Sequence, residues 1–338
     1  MKKYHTGYLL PNISKIDTLN EYSDKLIKES DLKLIASNYK GENWEIEWIF
    51  NNEFKGWEFI ILTKSFEIAQ NILYNILCAA AVVEGTVTWS DEVHYPQELG
   101  TIDKINGLNL IEKPIHEFLS LSVPSFFHLT ALASKDCKIE NSLVKYQLST
   151  EIYSKHYMDL HEVINWKTTK YQFIQMRFAY AIITAYSVIE ELGLEIRGAN
   201  TKNPSILPNK EWNPKIKNNI IKRLTESKIN INEDIPWMIR GKETDIEKSK
   251  PIKISGLTEW ADPPDFIDDF SLSIKDGYIH LIDAINYISY LRSSISSHCV
   301  GKRIMGLSVF DVANAQFLAR RLILEKMNMW KIQNYNKV

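Results

Sequence analysis

Hydrophobic and polar residues alternate near the start of the chain and then change to a helical spacing. Residues 44–50 alternate, residues 57–63 are rich in aromatic and β-branched types, and a polar turn at 51–56 separates them. Over residues 64–84 apolar positions recur every three or four residues and stop at a glycine. This pattern predicts a hairpin or small sheet, then a helix, then irregular structure over residues 85–138.

From about residue 139 onward the hydrophobic spacing is helical. The predicted helices cover residues 142–157, 159–166, 173–192, 278–299 and 308–329. The third of these is apolar on nearly all sides, which predicts a buried central helix. Gly277 precedes the fourth, and the fifth carries Arg320 and Arg321 toward its C-terminal end, where the helix dipole favours cations.

The predicted fold class is therefore mainly α, in two domains. Residues 1–138 form a smaller α+β domain, and residues 139–338 form an all-helical domain. A segment rich in Lys, Asn and Pro interrupts the second domain at about residues 199–265. We expect this insertion to lie on the surface and to contain a helix over residues 214–226.

The composition fits a soluble globular protein, with 45% hydrophobic and 24% charged residues. The longest apolar run, residues 76–83, is too short to cross a bilayer, and the start of the chain lacks the pattern of a secretory signal. The three cysteines are far apart and form no CxxC pair, which favours reduced thiols. The prediction is a cytoplasmic protein without membrane contact. No glycine-rich nucleotide-binding loop occurs, and no cofactor is predicted.

Positive charge is concentrated at the C-terminal end of the chain. Residues 284–338 hold eight Lys or Arg against two Asp or Glu, whereas residues 254–283 hold one against seven. All arginines lie at or after Arg177, and earlier cations are lysines. Because the planar guanidinium binds phosphate through two hydrogen bonds, the arginine-bearing half is the better candidate for binding a phosphate-containing partner.

The candidate chemistry lies in this basic block. Arg292 and His298 stand at the end of the predicted helix over 278–299, and Lys302 and Arg303 follow them. A guanidinium stabilises charge that develops on a phosphate, and an imidazole exchanges a proton near neutral pH. This pair suits cleavage of a phosphodiester without a metal, with the two later cations giving affinity for the nucleic acid backbone.

Helical geometry limits how Arg292 and His298 could meet. Residues six apart on an α-helix lie about 120° apart around its axis, so the two side chains cannot simply share one face. They could meet at one substrate if the helix ended near His298, as Gly301 suggests. Alternatively, the arginine of one subunit could face the histidine of another across a two-fold axis. Both arrangements remain open.

The helical part resembles the HEPN superfamily, whose ribonuclease members carry an Arg, four to six residues and then a His on a core helix. Residues 178–193 resemble the family's long apolar helix, residues 292–298 its catalytic helix and residues 307–324 its closing helix. The resemblance implies metal-independent RNA cleavage that leaves a cyclic phosphate, at a composite site in a homodimer, often in toxins and antiviral defence. RNA, a second copy of the chain, and an antitoxin or activating trigger are the implied partners.

The resemblance also assigns neighbouring residues. Ser293 stands where the family often has Asn, a longer side chain with an extra donor. Glu190 or Glu191 would orient the arginine. The alternative is a catalytically inactive helical scaffold that binds a ligand or partner through Arg292 and His298.

No metal site is predicted. His156 and His161 flank an aspartate, but their spacing of five is not the four-residue spacing of a helical zinc pair.

Overall fold

The structure is a computed structural model. It describes residues 1–10, 41, 43–51, 56–85, 97–98, 116–117, 123–153, 172–200, 202–209, 211–239, 254–259, 275–296, 307 and 309–330. Most of these residues are helical and the strands form small sheets, so the predicted mainly α class is confirmed.

The helices are α1 Phe66–Glu84, α2 Val123–Ala133, α3 Cys137–Ile152, α4 Gln172–Glu191, α5 Pro214–Glu226, α6 Leu281–Tyr290 and α7 Val309–Lys326, with a π-helical segment Leu291–Ser296 directly after α6. The strands are β1 Lys2–Leu10, β2 Trp44–Asn51, β3 Gly56–Thr63, β4 Gln97–Glu98, β5 His116–Glu117, β6 Asp234–Ile239, β7 Ile254–Glu259 and β8 Lys275–His280.

The chain divides into two compact units between Val144 and Lys145, inside α3. The sequence placed the domain boundary at residues 138/139. The first unit holds an antiparallel sheet in the order β2-β3-β1-β4, with β5 parallel to β1. Antiparallel pairing of β2 with β3 runs from Trp44 opposite Thr63 to Asn51 opposite Gly56. The predicted hairpin is therefore confirmed.

Helix α1 begins and ends at local signals. The Ser65 side chain accepts a hydrogen bond from the backbone N–H of Ile68 at 3.4 Å, and Gly85 closes the helix in the left-handed conformation at φ 75°. The helix is long and apolar enough to cross a membrane by length and composition, yet 61% of that stretch is buried inside the protein. Core helices of soluble proteins share this property.

Helix α2 lies in the region predicted to be irregular, so that prediction was wrong over residues 123–133. The sequence pattern counted Pro124 as a break in structure. Proline is tolerated in the first turn of a helix, because the N–H it lacks would have no partner there. Pro124 is the second residue of α2.

The second unit contains the three-stranded antiparallel sheet β6-β8-β7 and helices α4 to α7. Three predictions fail here. Residues 139–338 are not all-helical, because two strands of this sheet lie in the inserted segment and the third lies directly before α6. Residues Gly277–His280 belong to β8, and the following helix begins at Leu281 instead of Tyr278. The inserted segment is not confined to the surface, because Ile220 of α5 and Trp237 of β6 are buried. Its helix α5 has the predicted bounds, with Asn213 as N-cap and Pro214 in the first turn.

The most enclosed helix is α7. Every residue from Val309 to Leu324 is buried except Phe317, whereas α4, the predicted central helix, exposes 72% of Phe173 and 54% of Tyr180. Helices α4, α6 and α7 and the π segment contact one another within this unit. The helix predicted over residues 159–166 lies outside the described residues.

Candidate active site

Arg292 is the second residue of the π-helical segment that continues α6. Leu291 before it is fully buried and anchors the segment, while Arg292 is partly exposed and Ser293 is exposed. A π-helix joins each N–H to the fifth residue back instead of the fourth, and such segments occur frequently at functional sites. The angle of 120° derived for an α-helix therefore does not apply to this turn.

The Arg292 guanidinium pairs with a carboxylate of α4. Its Nη2 lies 3.3 Å from Oε1 of Glu190, and the two side chains are 41% and 39% exposed. An ion pair this exposed contributes about 0 to 1 kcal/mol to stability. The pair therefore adds little stability, and it leaves the guanidinium open to a ligand.

The ring of Tyr186 forms a second contact with Arg292. The guanidinium carbon lies 5.8 Å from the ring centroid, within the range of a cation–π interaction. Tyr186 precedes Glu190 by four residues, so the ring and the carboxylate lie on one face of α4. The aromatic ring and the carboxylate hold the guanidinium from two sides.

The Tyr186 hydroxyl reaches α6. It donates a hydrogen bond to Oγ of Ser289 at 3.2 Å, three residues before Arg292. Burial is the main cause that raises the pKa of Tyr186, while the hydrogen bond that it donates to Ser289 opposes the rise and the charge of Glu190 adds to it. The hydroxyl therefore stays protonated at neutral pH and remains a donor.

Ser293 points back into its own helix. Its hydroxyl donates a hydrogen bond to the carbonyl oxygen of Ser289 at 2.7 Å. This interaction occupies the only proton that a serine side chain can donate. In this arrangement Ser293 has no second donor to offer, which an Asn at the same position would have.

The two glutamates that the sequence left as alternatives have different partners. Glu190 faces Arg292, whereas Glu191 lies with Oε2 2.5 Å from Nζ of Lys145 on α3. Lys145 also lies 3.5 Å from the backbone oxygen of Ser187. Glu190 is thus the carboxylate that orients Arg292, and Glu191 joins α4 to α3.

More arginines gather just beyond the C-terminal end of α4. Arg223 of α5 donates to the carbonyl oxygens of Gly193 and Glu195, each at 2.6 Å, and Arg197 pairs with the Glu195 carboxylate. Burial is the first cause that lowers the pKa of Arg223, and the nearby Arg197 charge adds to it. Arg223 thus satisfies two carbonyls of the loop that follows α4, and Arg197 pairs with a carboxylate of the same loop.

His298, Lys302 and Arg303 lie outside the described residues, as do His156 and His161. The meeting of Arg292 with His298 therefore stays a prediction. Within the described ranges, no group of three or more His, Cys, Asp or Glu is placed to hold a metal ion.

Sequence reasoning missed Tyr186, Ser289 and Lys145 as members of this site. Tyr186 stood in an apolar stretch, where a tyrosine is expected to fill the core. The available signal was its spacing of four from Glu190, which places an aromatic ring and an acid on one helical face.

Comparisons with protein-family models, with curated proteins and with solved structures found no match. The assignment of the site therefore depends on the residues and their geometry.

Proposed function

We propose that this chain is a metal-independent endoribonuclease of the HEPN type that cleaves single-stranded RNA. The observation that carries the proposal is the Arg292 guanidinium, held by Glu190 and Tyr186 yet about two-fifths exposed. An arginine used only for structure would be expected to bury its donors against protein acceptors, as Arg223 does. Arg292 instead combines a fixed direction with access for an anionic ligand.

The chemistry follows from the groups proposed for the site. His298 takes a proton from the RNA 2′-hydroxyl, and the 2′-oxygen forms a bond to phosphorus while the bond from phosphorus to the 5′-oxygen breaks. The departing 5′-oxygen takes up a proton from water, and a 2′,3′-cyclic phosphate remains. Arg292 stabilises the negative charge on the phosphate oxygens, and Lys302 and Arg303 bind neighbouring phosphates.

The proposed fold is a HEPN-like helical bundle built from α3, α4, α6 and α7. Its support is the packing of α4 against α7 and the contacts that α4 and α6 each make with the π segment. We propose that two copies form a composite site, in which the arginine of one subunit faces the histidine of the other across a two-fold axis. The first unit would sense a trigger or tether the enzyme, as in a cytoplasmic toxin or antiviral effector controlled by an antitoxin or activator.

One observation favours a second function, that of a catalytically inactive helical scaffold. The Ser293 hydroxyl is hydrogen-bonded to Ser289, so the position next to Arg292 lacks the free donor that the ribonuclease motif often provides. In that case Arg292 would bind an anionic ligand or partner without cleaving it.

The test is an assay with purified protein and a fluorescently labelled single-stranded RNA in EDTA. Wild type should cleave, and Arg292→Ala and His298→Ala should each lower the rate at least about a hundredfold, the lower range for loss of one charge-stabilising group or one acid–base group. Arg197→Ala is the matched control, because it also removes a half-exposed arginine paired with a glutamate of the same unit. Cleavage that survives in Arg292→Ala would reject the proposal. RNA binding without cleavage, lost in Arg292→Ala, would support the scaffold.

A further inference from the structure

Tyr186 is the one aromatic residue, among those described, whose ring lies against the Arg292 guanidinium. The tyrosine is 3% exposed, so its ring is fixed by packing on α4. Arg292 lies on a different element, the π segment, and its long side chain has several rotatable bonds. A fixed ring beside a mobile cation restricts the positions that the cation can take.

The hydroxyl of the same tyrosine acts on the backbone that carries Arg292. Ser289 accepts a hydrogen bond from Tyr186 at its side-chain oxygen and another from Ser293 at its carbonyl oxygen. Both bonds meet at the last turn of α6, directly before the helix widens into the π segment. Tyr186 thus contacts the arginine side chain through its ring and the base of the arginine's helix through its hydroxyl.

The carboxylate of Glu190 completes the geometry. It lies one turn after Tyr186 on the same helix face and contacts Nη2 of Arg292 at 3.3 Å. A flexible, half-exposed ion pair alone would allow many guanidinium orientations. The Tyr186 ring excludes the orientations in which the guanidinium turns toward α4.

We propose that Tyr186 is a positioning residue, which holds the Arg292 guanidinium in the orientation used to stabilise the phosphate in the transition state. This inference rests on the proposed ribonuclease function, and it adds a residue that does not touch substrate. Because orientation matters most in the transition state, loss of Tyr186 lowers kcat more than it raises KM.

The first measurement needs no catalysis. Protein labelled with ¹⁵N only in arginine gives side-chain signals for its eight arginines, and the signal lost in Arg292→Lys belongs to Arg292. In wild type the Arg292 side-chain protons should show the upfield shift that a nearby aromatic ring causes. That shift should persist in Tyr186→Phe and vanish in Tyr186→Leu and in Tyr186→Met, the second variant in case the first does not fold. An Arg292 signal at the position of an ordinary exposed arginine in wild type would overturn the inference.

The second measurement is steady-state cleavage of the same labelled RNA. Tyr186→Leu should lower kcat about tenfold, with KM within about twofold of the wild-type value. The kcat of Tyr186→Phe should lie between those of wild type and Tyr186→Leu. Tyr287→Phe is the control: it removes the hydroxyl of another buried tyrosine of this unit, which donates a hydrogen bond to Asp311. A kcat for Tyr186→Leu equal to that of Tyr287→Phe would overturn the inference. If the proposed function is wrong, wild type will cleave no RNA. The position of the Arg292 NMR signal would then be the only test of whether Tyr186 positions Arg292.

Discussion

The carboxylate of Glu325 lies 2.9 Å from Nη2 of Arg321, one turn earlier on α7, and the side chains are only 7% and 1% exposed. A further carboxylate, Glu233, lies 3.3 Å from the same guanidinium, and the ring of Trp330 lies 5.5 Å from its carbon. The chain therefore places a charged network inside its second unit. Arg321 lies toward the C-terminal end of α7, as predicted, and its buried guanidinium is paired with Glu233 and Glu325.

Replacing Glu325 with Gln should destabilise the second unit by about 2 kcal/mol. The removal of one partner leaves a buried guanidinium with less compensation, which costs about 3–5 kcal/mol when a buried pair is broken completely. Arg321 keeps Glu233, and burial already raises the pKa of Glu325 as the largest influence on it, so we expect a smaller loss. Urea unfolding followed by circular dichroism measures the change.

The control for this prediction removes both charges. Arg321→Met combined with Glu325→Leu should recover part of the stability lost in Glu325→Gln, since buried ion pairs can be replaced by apolar residues at little cost. A double variant that is less stable than the single one would contradict this interpretation.

The adjacent glutamates of α4 should differ in their effect on RNA cleavage. Glu190→Gln removes the charge that orients Arg292 and should lower kcat about tenfold, equivalent to about 1.4 kcal/mol in the activation barrier. Glu191→Gln should leave cleavage within about twofold, because its carboxylate pairs with Lys145. Equal losses in the two variants, measured with the labelled RNA, would show that the structure assigns the wrong glutamate.

The amide of Gln316 should contribute more to stability than its place in a helix suggests. Its Nε2 lies 2.6 Å from the carbonyl oxygen of Tyr153 and 3.1 Å from that of Ser149, near the C-terminal end of α3. Gln316→Leu leaves these buried acceptors without that donor and should cost about 1–3 kcal/mol. Gln316→Glu is the informative companion, since a carboxylate has a similar shape but cannot donate when ionised. A loss below about 0.5 kcal/mol in thermal or urea unfolding would reject this role.

The stability of the first unit should fall as pH drops below about 6.5 because of His128. Burial is the main cause that lowers the pKa of His128 below its ordinary value of 6.5, and the Lys135 charge adds to it. Just below pH 6.5 the unfolded chain therefore binds more protons than the folded protein does. The contribution of His128 to stability is fully present above that pH. It is lost as the pH falls toward the lower pKa of the folded protein. Urea unfolding of wild type and of His128→Phe at pH 7.5 and 5.5 checks this.

Wild type should lose stability relative to His128→Phe on going from pH 7.5 to 5.5. The comparison removes the contribution of the other titrating groups, which the two proteins share. A stability difference that stays constant between the two pH values would contradict the prediction.

Local sequence signals predicted several of the described elements correctly, but not α2 or the sheet β6-β8-β7. The hairpin β2–β3, helix α1 and helix α5 each carry their signals within a few residues, such as the Asn213-Pro214 start of α5. The boundary at β8 and α6 was missed because a strand passes into a helix without a loop, and His280 is both the last strand residue and the N-cap. A glycine before an apolar stretch does not show whether that stretch begins as a strand or as a helix.

Long-range contacts account for what the sequence could not predict. On α7, Gln316 donates a hydrogen bond to Ser149, 167 positions away, and Arg321 donates one to Glu233, 88 positions away. In the candidate site the sequence identified Arg292 and narrowed its partner to two glutamates. Only the packing of α4 against the π segment shows that Glu190 is the partner and that Tyr186 also contacts Arg292.

The geometry of the candidate site depends on the number of residues in the π segment. Each turn from Leu291 to Ser296 takes up more residues than a turn of α6 does. Deleting one residue between 294 and 296 would let α6 continue as an α-helix, because a turn of α-helix takes up one residue fewer. Substitution scans leave this backbone register intact, so a single-residue deletion is the change that tests it.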